Sequence, residues 1–142
     1  MDEASRHKFL DLESDPFPEP RFVTGCSSNN LSGALRLIDV MNRTFPGQKL
    51  VVYGLNLTGN EVEKLKGFSN VEFREFHFER YPAHIANIIQ YGWKHIVHSE
   101  ALRDFGSFWW LDVSIVFKKS DLEQVYALIK CRIPSARPSL IV

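Results

Sequence analysis

The chain has 142 residues, 44% hydrophobic and 13% aromatic, and its 17 Lys and Arg are matched by 17 Asp and Glu. This length and apolar content suit one modest domain with a real core. Zero net charge argues against bulk electrostatic attraction to nucleic acid or an anionic membrane, and no apolar run approaches the length that spans a bilayer.

Residues 1–20 are polar and end in Asp15-Pro16-Phe17-Pro18-Glu19-Pro20, whose alternating prolines favour an extended arm. The charged start, with Asp2, Glu3, Arg6, His7 and Lys8, lacks the apolar stretch of a signal peptide. The folded domain is expected over 21–131. Phe22-Val23-Thr24 reads as a short strand that runs into Gly25-Cys26-Ser27-Ser28-Asn29-Asn30, a loop of small polar residues. A helix follows from about Leu31. Leu31, Ala34, Leu35, Ile38, Met41 and Phe45 recur at the spacing of one buried face. Asn30 or Ser32 is its candidate cap, and Pro46-Gly47 its stop.

Leu50-Val51-Val52-Tyr53 is the second predicted strand. Thr58-Gly59-Asn60-Glu61 matches the capping box of a short helix that ends at Gly67. Val71 and Phe73 alternate in a third strand, and the phase slips to Phe76 and Phe78, which suggests a bulge or a change of direction. A longer helix is expected from about His84 to Arg103, with Ile85, Ile88, Ile89, Trp93, Ile96, Val97 and Ala101 inward and Gly106 as its stop. Then comes the run from Phe108 to Phe117, a buried strand interrupted by Asp112. Ser120 or Asp121 starts a last helix with Leu122, Val125, Tyr126 and Ile129. Residues 132–142, with Pro134 and Pro138, read as an unstructured tail.

The order β-α-β-α-β-α-β-α implies an α/β fold: a mostly parallel, Rossmann-like sheet with helices on both faces. Such sheets gather ligands at the carboxyl ends of their strands. Three polar segments meet there: Thr24 to Asn30, Tyr53 to Thr58, and Asp112 to Ser114. The first leads into a helix N-terminus, a natural anion site, but carries neither G-x-G-x-x-G nor G-x-x-x-x-G-K-[ST]; alone it is as well read as a capped turn. An acid inside an apolar strand is costly unless the strand ends there or the carboxylate is paired. Asp112 is therefore placed at the tip of its strand, where it and Ser114 offer oxygens to a hard divalent cation. Alone, it also reads as a turn residue. Lys94 reads either as a snorkelling lysine or as a cation aimed at Asp112 or a phosphate. His95 and His98 are three apart, without the H-E-x-x-H pattern, and read as surface residues. Cys26 and Cys131 form no recognisable motif. Asn30, Asn42 and Asn56 each begin an N-x-[ST] triplet.

The segment from Arg21 to about Lys119 resembles the nucleotide-binding half of a glycosyltransferase-A (nucleotide-diphospho-sugar transferase) domain. Phe22-Val23-Thr24 with Asn29-Asn30, Leu50 to Leu55, Tyr91-Gly92-Trp93-Lys94, and above all Trp109-Trp110-Leu111-Asp112-Val113-Ser114 carry the resemblance. It implies binding of a nucleotide diphosphate sugar, a UDP-sugar in the first instance, through Thr24, Asn29, Tyr53, Lys94 and Asp112. It also implies a divalent metal, Mn²⁺ as a rule, at Asp112 and Ser114. Ser114 stands where the family's D-x-D motif has its second acid, which weakens the metal site. The family continues well past this motif, whereas little remains here after Lys119. The expectation is therefore a truncated domain, inactive alone, with no assignable base or nucleophile. Secretory or Golgi placement is implied for a full-length form, and a protein partner or self-association through exposed sheet surface for this one. The competing readings are a non-catalytic nucleotide-sugar-binding remnant and a structural α/β interaction domain.

Overall fold

The computed structural model describes residues 20–123 together with Val125 and Tyr126. The expected arm up to Glu19, Cys131 and the expected tail lie outside the described residues. Among those described, seven-residue β1 (Arg21–Ser27), β2 (Leu50–Leu55), β3 (Val71–Glu75) and β4 (Phe108–Trp110) form one sheet. Three helices, α1 (Leu31–Thr44), α2 (Gly59–Lys66) and α3 (Gly92–Phe105), connect them. No helix among the described residues is long and apolar enough to cross a membrane.

The sheet order is β3-β2-β1-β4 and every pairing is parallel. β1 pairs β2 from Phe22↔Leu50 to Ser27↔Leu55, and pairs β4 on its other side from Arg21↔Phe108 to Val23↔Trp110. This is an α/β Rossmann-like fold. The two central strands are almost wholly buried, which is why they read as continuous apolar runs. Their alternation feeds two cores. Phe22, Cys26, Leu50 and Val52 pack with Ala34, Leu37, Ile38 and Met41 of α1 and Leu65 of α2. Val23, Val51, Tyr53 and Leu55 pack with Trp93, Val97 and Ala101 of α3 on the opposite face. Helices thus cover both faces, as a parallel sheet requires. Burial pushes the Cys26 thiol up to about 12, with Glu61 adding to the effect, so it is an inert core residue.

Local chemistry sets the boundaries. α1 ends with the Phe45 N–H on the Met41 carbonyl at 2.8 Å, and Gly47 then takes the turn at φ +85°. Thr58 and Glu61 form the expected capping box: the Thr58 hydroxyl accepts from the Glu61 N–H at 3.4 Å, and the Glu61 carboxylate accepts from the Thr58 N–H at 2.8 Å. That backbone donor, joined by the Ser28 hydroxyl, holds the Glu61 carboxyl below its ordinary range. Gly106 closes α3 at φ +73°.

The phase slip after Phe73 marks a change of direction and not a bulge: β3 stops at Glu75, Phe76 is buried, and a 3-10 turn begins at Phe78. The long helix does not begin near His84. Residues 83–86 and 88–90 form separate 3-10 turns, and α3 starts at Gly92. Asn87 diverts the backbone, its side chain accepting from the Ile89 N–H at 3.2 Å, and Tyr91 sits in the left-handed region at φ +55°. Ile89, counted on the buried stripe, is 84% exposed. The strand within the run from Phe108 to Phe117 ends ahead of Asp112, as the cost of burying that carboxylate implies. Ladder pairing covers three residues and closes with the Leu111 N–H on the Val23 carbonyl at 2.8 Å. Asp112 follows at the tip, and Val113, Ile115 and Phe117 fold over the α1-side core. Trp109 and Trp110 pack on opposite cores rather than standing exposed. Asp121 starts the expected last helical turn by accepting from the Glu123 N–H at 2.8 Å; Ile129 lies outside the described residues.

Candidate functional site

The chain runs outward from β1 to β2 to β3 and then returns to the far side of β1 as β4. The strand order reverses between β1 and β4, and a crevice opens at such a point. Here it is a cleft of about 470 Å³ lined by Gly25, Asn30, Tyr91, Trp93, Lys94, Trp110, Asp112, Val113 and Ser114. Gly25 has no side chain for a steric reason. A Cβ there would lie 2.6 Å from the Trp93 ring and 3.3 Å from the Trp110 ring, so only glycine lets the two indoles lie against β1.

Asp112 and Lys94 meet in this cleft. The Lys94 Nζ lies 3.0 Å from Asp112 Oδ1, and the Trp110 indole N–H donates to the same oxygen at 2.9 Å. Lys94 also sits over the Trp110 ring, 5.0 Å from its centroid. The indole donor and then the ammonium hold the Asp112 carboxyl below the usual carboxylate range, against the opposing effect of burial. Behind them, the His98 ring meets the edge of Trp110 at 4.6 Å. Burial, with Lys94 and His95, keeps His98 below the ordinary histidine range, while Asp112 pulls the other way.

Two helices open on the cleft, and in neither does the residue directly before the helix cap it with its side chain. Asn30 precedes α1 at the end of a 3-10 turn, Ser28–Asn30, and its amide oxygen accepts from the Ser27 N–H at 2.7 Å as the reach-back half of a capping box one turn earlier. Tyr91 precedes α3 and has no capping side chain to offer. Neither helix has an acid in its first turn. α2, whose residues do not line this cleft, has both the capping box and Glu61. Each N-terminus carries roughly half a positive charge. The cleft therefore faces two such partial charges and one ammonium, against one carboxylate.

The structure brings Lys94, Asp112 and Ser114 together, with Asn30 beside them. It does not bring the remaining candidates there. Thr24 is fully buried on the α1 side, its hydroxyl donating to the Leu111 carbonyl at 2.6 Å, where it ties β1 to the end of β4. Asn29 lies exposed on the 3-10 turn before α1. Tyr53 lines a different cavity of about 300 Å³ with Arg74, Tyr81, Glu100 and Asp104. There Arg74 donates to the Tyr53 hydroxyl at 3.3 Å. Gly25, Tyr91, Trp93 and Trp110 were not among the candidates; the signal for them was the clustering of aromatics around Lys94 and before Asp112.

A resident divalent metal fits this donor set poorly. Among the described residues Asp112 is the one carboxylate lining the cleft, and an ammonium already occupies one of its oxygens. Ser114 adds only a neutral hydroxyl where a hard cation favours carboxylates. Among the described residues no group of three His, Cys, Asp or Glu side chains could hold a metal ion.

One family model matches, over residues 2–99, and its description is a family of proteins of unknown function, DUF1647. The match covers more than half of the chain, which therefore belongs to that family. It ends within α3, before β4 and Asp112. No curated protein and no solved structure matches the chain.

Proposed function

We propose that this member of the DUF1647 family is a sugar-nucleotide-binding domain of glycosyltransferase type, and that its β1/β4 cleft takes the diphosphate of a nucleotide diphosphate sugar. The observation that carries this reading is the contrast in charge at the helix N-termini. Two helices bring acid-free N-termini to one crevice that also holds Lys94, while the third carries Glu61 in its first turn. An N-terminus without an acid leaves its partial positive charge for a bound anion to meet. Lys94 adds a charge-assisted donor, and Asp112 holds that ammonium at the cleft wall. Asp112 is thus a positioning residue for Lys94.

The reading is of binding, not catalysis. In the family the chain resembles, a metal on the diphosphate offsets leaving-group charge. Here Lys94 and the helix termini supply positive field, and no side chain lining the cleft stands out as a base for an acceptor hydroxyl. The second reading, a plain interaction domain, leaves unexplained why two helix N-termini without acids meet Lys94 at one cleft.

Calorimetric titration with UDP, with and without Mn²⁺, tests the proposal. Wild-type protein should bind UDP without metal. Lys94→Ala should lose about ten-fold in affinity or more, and Mn²⁺ should change the wild-type affinity by less than that. Absence of binding by folded protein under both conditions would sink the reading. Binding that appears only with Mn²⁺ and vanishes in Asp112→Ala would return Asp112 to the role of metal ligand and overturn the assignment to Lys94.

A further inference from the structure

Tyr91 is the residue of the cleft that the fold explains least. Tyr91 is 61% exposed, although it lines a concave site beside two indoles. Its backbone stands at φ +55°, ψ +16°, a left-handed conformation that costs a bulky residue energy and that Gly or Asn adopts readily. Only one other described non-glycine residue has positive φ, and that is Asn56, a type suited to it. Strain held at a cleft by a residue poorly suited to it points to a use for the side chain. The core does not use it: Tyr91 is absent from both buried clusters, and its one close ring neighbour is Trp93, at 6.2 Å and 45°.

Its position defines what that use is. Tyr91 directly precedes the first turn of α3, where the uncapped N–H groups lie, and Lys94 follows three residues later. A ring there sits one moiety away from a bound phosphate. The other exposed aromatic surface is partly taken: Lys94 lies over the Trp110 ring and the Trp110 N–H is committed to Asp112. We infer that Tyr91 is the stacking platform for the base of the bound nucleotide, a planar aromatic heterocycle laid on its exposed face. The inference rests on the diphosphate reading above and adds to it the means by which the rest of the nucleotide is held. Stacking needs a ring face and not a hydroxyl, so phenylalanine serves as well as tyrosine.

The experiment is titration of wild type, Tyr91→Phe and Tyr91→Asn with UDP, UDP-glucose and inorganic pyrophosphate. Asparagine removes the ring while tolerating the left-handed backbone, so this variant should unfold no earlier than wild type. Expected is about a ten-fold loss of UDP and UDP-glucose affinity in Tyr91→Asn, unchanged pyrophosphate affinity, and near-wild-type binding by Tyr91→Phe. Equal UDP affinity in wild type and Tyr91→Asn would overturn the inference and leave the diphosphate site standing. A loss confined to UDP-glucose would overturn it in favour of a sugar stacked on the ring. Failure of wild type to bind either UDP or pyrophosphate would bring down the diphosphate site and the stacking role together.

Discussion

The β1/β4 cleft and the cavity around Arg74 are both polar, both walled in part by α3, and both built on a cation over an aromatic ring. They differ in how completely their charges are matched. Arg74 donates to Asp104 at 2.6 Å, to Glu72 at 3.0 and 3.1 Å and to the Tyr53 hydroxyl at 3.3 Å, and lies 4.7 Å from the Phe105 centroid. Burial works against its charge, but these acceptors outweigh that and raise its pKa. Lys94 has one carboxylate, which is itself 60% exposed, and faces two helix N-termini that have no acid in their first turns. A count of charged groups would favour the Arg74 cavity as the site. The capacity left unsatisfied favours the cleft, because a ligand contributes most where donors have no protein partner.

The sharpest way to break this contrast is to remove each cation in turn. Arg74→Ala should cost about 1–2 kcal/mol of stability, since it removes the donor shared by two partly buried carboxylates and the Tyr53 hydroxyl, leaving Asp104 to Arg103 and Glu72 to Arg21, and urea titration measures this; UDP affinity should stay within about two-fold. Lys94→Ala should do the reverse. A partly exposed ion pair contributes under about 1 kcal/mol, so the midpoint should barely move while UDP affinity falls. Similar stability losses in both variants would erase the distinction between scaffold and site.

A smaller effect tests the helix ends. Ser32 is exposed in the first turn of α1, which lacks an acid. Ser32→Glu should stabilise the fold by about 0.3–1 kcal/mol through the helix dipole, while weakening UDP binding by placing a negative charge near the diphosphate. A stabilised variant with undiminished affinity would show that this terminus does not face the anion.

The smallest effect concerns acid. Asp104 and Asp112 both have pKa values lowered in the fold, Asp104 chiefly by its hydrogen bond from Arg103 and Asp112 chiefly by that from Trp110. A carboxyl with a depressed folded-state pKa adds stability that is complete above its ordinary value and is lost as pH falls through the lowered one. Asp104 is half as exposed as Asp112, at 30% against 60%, and so is less screened by solvent. Asp104→Asn should therefore flatten the acid limb of stability against pH more than Asp112→Asn. The opposite ranking would place the tighter network in the cleft.

Much of this architecture was legible in the chain. The apolar runs at Phe22 and Leu50 read as buried strands because a central parallel strand is covered on both faces. The Thr58–Glu61 box marked the start of α2, since both partners lie within one turn. Asp112 was readable as a strand tip because a carboxylate inside a buried ladder would be too costly. Local signals of this kind depend on neighbours in sequence, and they determined element type, the two-faced α/β arrangement and the placement of Asp112.

The tertiary structure decided what sequence distance conceals. Alternation of strands and helices implies parallel pairing but not the order β3-β2-β1-β4, and only that order sets Gly25 of β1 beside Trp110 of β4 and opens the cleft between them. Tyr53 closes the apolar run that reads as the second strand, but the strand continues to Leu55 and the Tyr53 hydroxyl meets Arg74, a neighbour supplied by β3. The two helix N-termini without acids are remote in sequence and each alone reads as an ordinary helix start. Their shared direction, like the left-handed Tyr91 that turns the chain into α3, exists only once the sheet has assembled, because long-range strand pairing, not local propensity, fixes where each helix begins and what it faces.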